Sequence, residues 1–166
     1  MIYLIWLLRI IHIVGGVFWV GGTLMMTFFI GPTVGAIGES GQKFVSHLMN
    51  NLKFSNRMAI ASGATVLAGF IMYALDARAG SAWLRSSFAI GLGIGAIFAL
   101  IGFISGILIG RTIKAMVQLG GQIQGKPSAD QMTRLQELSK RQSTYSVIAT
   151  ISLVLATVFM AISRYL

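Results

Sequence analysis

Cysteine is missing from this 166-residue chain, proline and histidine occur twice each, and only four residues are acidic. Without thiols there can be no disulfide, no thiolate metal centre, no iron–sulfur cluster and no covalently attached c-type haem. The redox compartment is therefore not written in the thiols. None of the four acidic residues, Glu39, Asp76, Asp130 and Glu137, lies within the long apolar runs. That disfavours a small transporter, because proton-coupled cation exporters commonly use a carboxylate at membrane depth. There is no carboxylate pair, no Ser–His–Asp set and no phosphate-binding glycine loop, so soluble-type enzyme chemistry has no support and no catalytic residue can be named.

What the chain has in abundance is apolar surface. At 55% hydrophobic and 10% charged residues, it has too little polar surface for a soluble domain and reads as a polytopic membrane protein. Helical spans need about 20 apolar residues each, and four runs meet or approach that: 10–30, 58–75, 88–109 and 147–162. The expected fold class is all-α, a four-transmembrane-helix bundle with short amphipathic cytoplasmic helices, forming one integral membrane domain over 1–166. No basic start precedes the first run and no small-residue cleavage site follows it, so the first span is expected to remain in the mature protein.

The net charge of +9 is explained by topology rather than by nucleic acid. Lys43, Lys53 and Arg57 lie in the first connection, and Arg111, Lys114, Lys126, Arg134, Lys140 and Arg141 in the third; the second holds only Arg78 and Arg85. The positive-inside rule then puts the first and third connections in the cytoplasm and both termini outside. The lipid bilayer is the partner this composition implies.

Gly31-Pro32 is expected to stop the first span. Ser40 can cap a following helix with Phe44, Val45, Leu48, Met49 and Leu52 on one face and Lys43, His47 and Asn50 toward the other, either lying at the membrane surface or extending the second span. His47 reads as a solvated or headgroup-facing side chain. Gly120-Gly121 and Gly125-Lys126-Pro127 interrupt the chain, after which Ser128 and Gln131 form a capping-box signature. Met132, Leu135 and Leu138 then recur at helical spacing, so the fourth span is expected to begin as an amphipathic helix. In the third span, Gly102, Gly106 and Gly110 form a GxxxGxxxG face suited to close helix packing within the bundle or to a homo- or hetero-oligomer.

The most informative polar groups are Arg9 and His12, one helical turn apart inside an apolar run; ionisable groups at such depth are functional candidates by default. His12, Gly15, Gly16, Trp19, Gly22 and Thr23 fall on one stripe that Arg9 extends. A neutral imidazole can ligate haem iron, small residues can admit a porphyrin, and a guanidinium can pair with propionates. The competing expectation is that His12 hydrogen-bonds to a neighbouring helix and Arg9 snorkels to the headgroups. Met72 and Met160 come level with His12 and are the candidates for a second axial ligand, or else core fillers.

The run Trp6-Leu7-Leu8-Arg9-Ile10-Ile11-His12-Ile13-Val14-Gly15-Gly16-Val17-Phe18-Trp19-Val20-Gly21-Gly22, with Gly31-Pro32 and the closing Met160-Ala161-Ile162-Ser163-Arg164-Tyr165-Leu166, resembles small bacterial membrane proteins related to the copper-resistance D domain. A similar first helix, with His followed seven residues later by Trp, occurs in the haem-b membrane protoporphyrinogen oxidase and in the membrane domain of cytochrome-type urate oxidase. The resemblance implies a bacterial inner-membrane protein in which His12 ligates haem b, with a role in electron transfer or in supporting a membrane or periplasmic redox partner. Of the protoporphyrinogen oxidase group's functional positions, only the first-helix histidine has a match here. Copper transport would call for soft ligands, yet cysteine is missing, histidine is scarce and the methionines show no repeated metal-binding spacing. The alternative from a different class is an accessory or structural membrane subunit with no cofactor.

Overall fold

A computed structural model describes residues 2–123 and 125–166. In chain order the elements are α1 (Ile2–Met25), a π-helical turn (Met26–Ile30), α2 (Gly31–Ala36), α3 (Glu39–Asn50), α4 (Phe54–Ala77), α5 (Ser81–Leu84), α6 (Ser87–Gly121), α7 (Ala129–Ile162) and a terminal 3-10 turn (Ser163–Tyr165). No strand occurs among the described residues. Four helical segments are long and apolar enough to cross a membrane: Ile2–Ala36, Phe54–Ala77, Ser87–Gly121 and Ala129–Tyr165.

The first of these runs straight through Gly31-Pro32, contrary to the expected stop. Proline has no N–H to donate and its ring crowds the carbonyl four residues back. The chain absorbs both problems by widening into the π turn, in which the Gly31 N–H bonds to the Met26 carbonyl five residues earlier. Pro32 then occupies the first turn of α2, where no donor is required. The helix ends at Ile37 and Gly38, whose φ of 58° and ψ of −123° suit glycine alone. Gly38, not Ser40, therefore precedes α3, and Ser40 lies inside its first turn. A break at Asn51–Lys53, with Lys53 in the left-handed region at φ 49°, separates α3 from α4 and makes it a helix of its own. By contrast the Ser128–Gln131 capping box is present as expected, with both reciprocal bonds made, at 3.2 and 2.9 Å.

Helices α6 and α7, of 35 and 34 residues, are each about 50 Å long at 1.5 Å per residue. A hydrocarbon layer about 30 Å thick would leave roughly 20 Å of each projecting at the end joined by the Gly125–Pro127 connection. These two helices form the most extensive packed pair, antiparallel along a seam of small residues. Gly91 meets Ser163 and Leu166, Gly95 meets Met160 and the Ala156 carbonyl, and Gly102 meets Leu153. In lipid such seams are held by close van der Waals contact rather than by hydrophobic burial. Phe98 stacks on Phe159 at 5.8 Å along the same pair.

The GxxxGxxxG stripe is only partly used. Gly102 is in the seam, but nothing lies within 4 Å of a Cβ placed on Gly106 or Gly110. The hairpin has rotated that face outward, because Ser105 and Thr112, not Gly106 and Gly110, continue the buried line. Gly106→Leu is accordingly expected to leave the melting transition in detergent unchanged or slightly raised, whereas Gly95→Leu, whose Cβ alone would sit 2.8 Å from Met160 Cγ, should lower it by overpacking. Equal loss for both would show that another helix covers Gly106.

Helix α1 packs antiparallel on α4 and also meets the other pair, chiefly α7. Trp19, 5% exposed, meets Phe103 edge-on at 6.2 Å, and Thr150 Oγ1 donates to Thr27 Oγ1 in the π turn at 3.0 Å. At the end holding both termini, Tyr3 contacts Trp6, and Tyr73, Trp83 and Phe88 form an edge-to-face chain across α4, α5 and α6. Such clustering of amphipathic rings suits a membrane–water boundary.

Candidate functional site

The site grows out of the α1–α4 seam, where glycines on one helix face small polar residues on the other. A Cβ on Gly15 would stand 2.6 Å from Thr65 Oγ1 and 3.3 Å from the Ala61 carbonyl, so the backbones meet without an intervening side chain. Gly16 faces Thr65 Cγ2, and Gly22 faces the Met58 thioether. Into this closed seam α1 directs one long polar side chain, that of His12.

The imidazole lies against Gly69 with its Nδ1–Cε1 edge nearest, where a Cβ would come within 2.7 Å of Cε1 and 2.9 Å of Nδ1. Its Nδ1 is 2.8 Å from the Thr65 carbonyl oxygen. A carbonyl only accepts, so Nδ1 must carry the proton, and in the neutral ring Nε2 then presents a lone pair. Among the described residues, the one fully buried side-chain N or O atom without a partner is Thr65 Oγ1. Nε2 makes no hydrogen bond among the described residues, and His12 is half-buried. A histidine that donates one ring N–H to a carbonyl and offers the other nitrogen is the usual arrangement behind an imidazole ligand.

Arg9 is exposed one turn nearer the N-terminus and borders a notch of about 20 Å³ with Ile5, Met72, Leu75 and Asp76. That is room for about one water molecule. Arg9 and Asp76 share the notch without a direct ion pair; among the described residues the one direct pair is Lys43–Glu39, at 2.8 Å.

The structure thus brings Arg9 and Met72 together beside the His12 turn. Met160 goes elsewhere, under Gly95 in the α6–α7 seam. Gly15, Gly16 and Trp19 face helices α4 and α6, and His47 is exposed on α3. No group of three or more His, Cys, Asp or Glu residues that could hold a metal occurs among the described residues.

Thr65, Gly69 and Asp76 join the site only through the fold, although the sequence carries a signal for the first two. Ser62, Thr65, Ala68 and Gly69 fall three or four residues apart along one face of α4, the small-residue stripe expected opposite a glycine-bearing helix. The chain matches no protein-family model, no curated protein and no solved structure.

Proposed function

We propose that the chain is a multi-pass protein of the bacterial inner membrane, with both termini outside and α3 lying at the cytoplasmic surface, that holds a b-type haem through His12 and passes electrons to, or supports, a membrane or periplasmic redox partner. The observation that carries this proposal is the His12 Nδ1–Thr65 carbonyl bond, which fixes the tautomer and leaves the Nε2 lone pair without a partner. The ligand chemistry fits a single axial bond. The one-water notch beside Arg9 and the closed glycine contacts leave no porphyrin-sized slot inside the seam, so the group would rest against its outer edge. Arg9, exposed on that side, would meet propionates there, and Met72 is better placed than Met160 to approach the site. A haem held there would supply one-electron exchange at its iron. The part this chain plays is to hold the ring orientation, keep the proton on Nδ1 rather than Nε2 in the neutral ring, and supply a positive charge near the boundary.

The second reading, an accessory subunit without cofactor, is favoured by the same stripe. His12, Gly15, Gly16 and Trp19 are all engaged by neighbouring helices, as packing alone would require. Visible spectra of the protein from its native membrane, oxidised and dithionite-reduced, distinguish the two. The haem proposal expects sharp reduced b-type bands that His12→Ala abolishes or shifts while the protein still inserts, and a weaker retention of haem in Arg9→Ala. Wild-type haem content and spectrum in His12→Ala would remove the axial role. A wild-type protein without haem would leave the accessory subunit. Orientation is checked by a compartment-sensitive reporter fused after Leu166, expected to be active outside the cytoplasm.

A further inference from the structure

Away from the His12 seam, the outer face of α7 carries an open groove of about 300 Å³ bordered by Glu137, Lys140, Arg141, Thr144 and Tyr145. These five fall at i, i+3, i+4, i+7 and i+8, one stripe of a helix. We propose that this groove binds the phosphodiester headgroup of an anionic glycerophospholipid. The inference rests on the reading of the bundle as membrane-spanning.

Depth is the first argument. A hydrocarbon layer about 30 Å thick takes about 20 residues of α7 at 1.5 Å per residue, so a span ending at Ile162 begins near residue 143, and Arg141 and Lys140 lie about 3 and 5 Å outside it. The polar layer outside the hydrocarbon is roughly 5–8 Å thick on each side. The groove therefore spans the depth at which phosphates sit, with its one half-buried aromatic at the hydrocarbon edge.

Donor chemistry is the second. Lys140 and Arg141 project cationic donors into the groove, and neither is in an ion pair among the described residues, although Glu137 is one turn away. Tyr145 adds a hydroxyl. Thr144 does not donate there, because its Oγ1–H is committed to the Lys140 carbonyl at 3.0 Å. Glu137, at the end farthest from the apolar run, can accept from headgroup hydroxyls. The surrounding field has the same sign: the two connections at this end hold Lys43, Lys53, Arg57, Arg111, Lys114, Lys126, Arg134, Lys140 and Arg141 against Glu39, Asp130 and Glu137. Polybasic segments at a membrane boundary attract anionic lipid.

Native mass spectrometry of the detergent-purified full chain with added phosphatidylglycerol tests this. Wild type is expected to retain the lipid at least fivefold more than phosphatidylcholine at equal concentration. Lys140→Gln/Arg141→Gln should lose at least fivefold of that retention, while Lys114→Gln/Lys126→Gln, which removes the same charge at the same end outside the groove, stays within twofold of wild type. Matching melting transitions for the two double variants would confirm that both are folded. Equal losses in both would reduce the effect to diffuse charge and overturn the site. So would equal retention of phosphatidylcholine, or displacement of the lipid by millimolar inorganic phosphate, which would make the ligand a soluble anion. Recovery of the chain in carbonate-washed membranes tests the membrane reading separately.

Discussion

Gly15→Ala is expected to lower the thermal stability of the detergent-solubilised protein by about 1–3 kcal/mol, the usual cost of forcing one extra carbon into a packed interface. The new Cβ would lie 2.6 Å from Thr65 Oγ1 and 3.3 Å from the Ala61 carbonyl. Neither can retreat easily, since one is on a β-branched side chain and the other is backbone. Gly21→Ala on the same helix is the control. With nothing within 4 Å of its Cβ, that change should stabilise by up to about 1 kcal/mol, the helix-propensity difference between the residues. Thr65→Ala should be close to neutral, because it deletes the one buried side-chain hydroxyl without a partner among the described residues, and an unsatisfied group contributes little to lose. It should also rescue Gly15→Ala, since the atom in the way is gone. Melting curves of the two single variants and the double variant supply the coupling. Additive losses would place Gly15 and Thr65 out of contact.

Gly69→Val should be the more disruptive change on α4. Its Cβ alone would occupy space within 2.7 Å of His12 Cε1 and 2.9 Å of Nδ1, so the imidazole must leave its slot and the 2.8 Å bond to the Thr65 carbonyl breaks. The expected loss is about 2–4 kcal/mol, combining overpacking with a buried hydrogen bond left unmade. Gly63→Val on the same helix, where no atom lies within 4 Å, should cost nothing comparable. The specific readout is the Nδ1 proton of His12 in a nitrogen-correlated NMR spectrum, slowly exchanging in wild type and absent in Gly69→Val. Persistence of that signal in the variant would mean the ring does not lie against Gly69. If haem is bound, the same substitution should change its spectrum, because the ligand's orientation depends on this bond.

How much of the site was legible depends on which helix is considered. His12 and Arg9 stand out because charge and imidazole are costly in an apolar run, and that contrast needs no partner to be visible. Thr65 and Gly69 do not stand out, being ordinary small residues in a membrane-type helix. Their importance comes from meeting α1 at Gly15 and His12. The two methionines show the same division: both are level with His12 by counting, but packing takes Met160 into the α6–α7 seam and leaves Met72 beside Arg9.

By itself the sequence determined four apolar helices, since runs of this length leave backbone groups few alternatives in an apolar medium. It also determined the start of α7, because the Ser128–Gln131 box satisfies its donors locally. The ends of the first helix were decided otherwise. Pro32 marks a break only where the hydrogen-bond ladder cannot shift; here it shifts by one residue in the π turn, and Thr150 bonds that turn from α7. The tertiary structure likewise decided which glycines matter. Gly102, Gly106 and Gly110 are equivalent in spacing, yet only the first meets a partner, because the rotation of α6 against α7 is set by every contact along both helices rather than by any local motif.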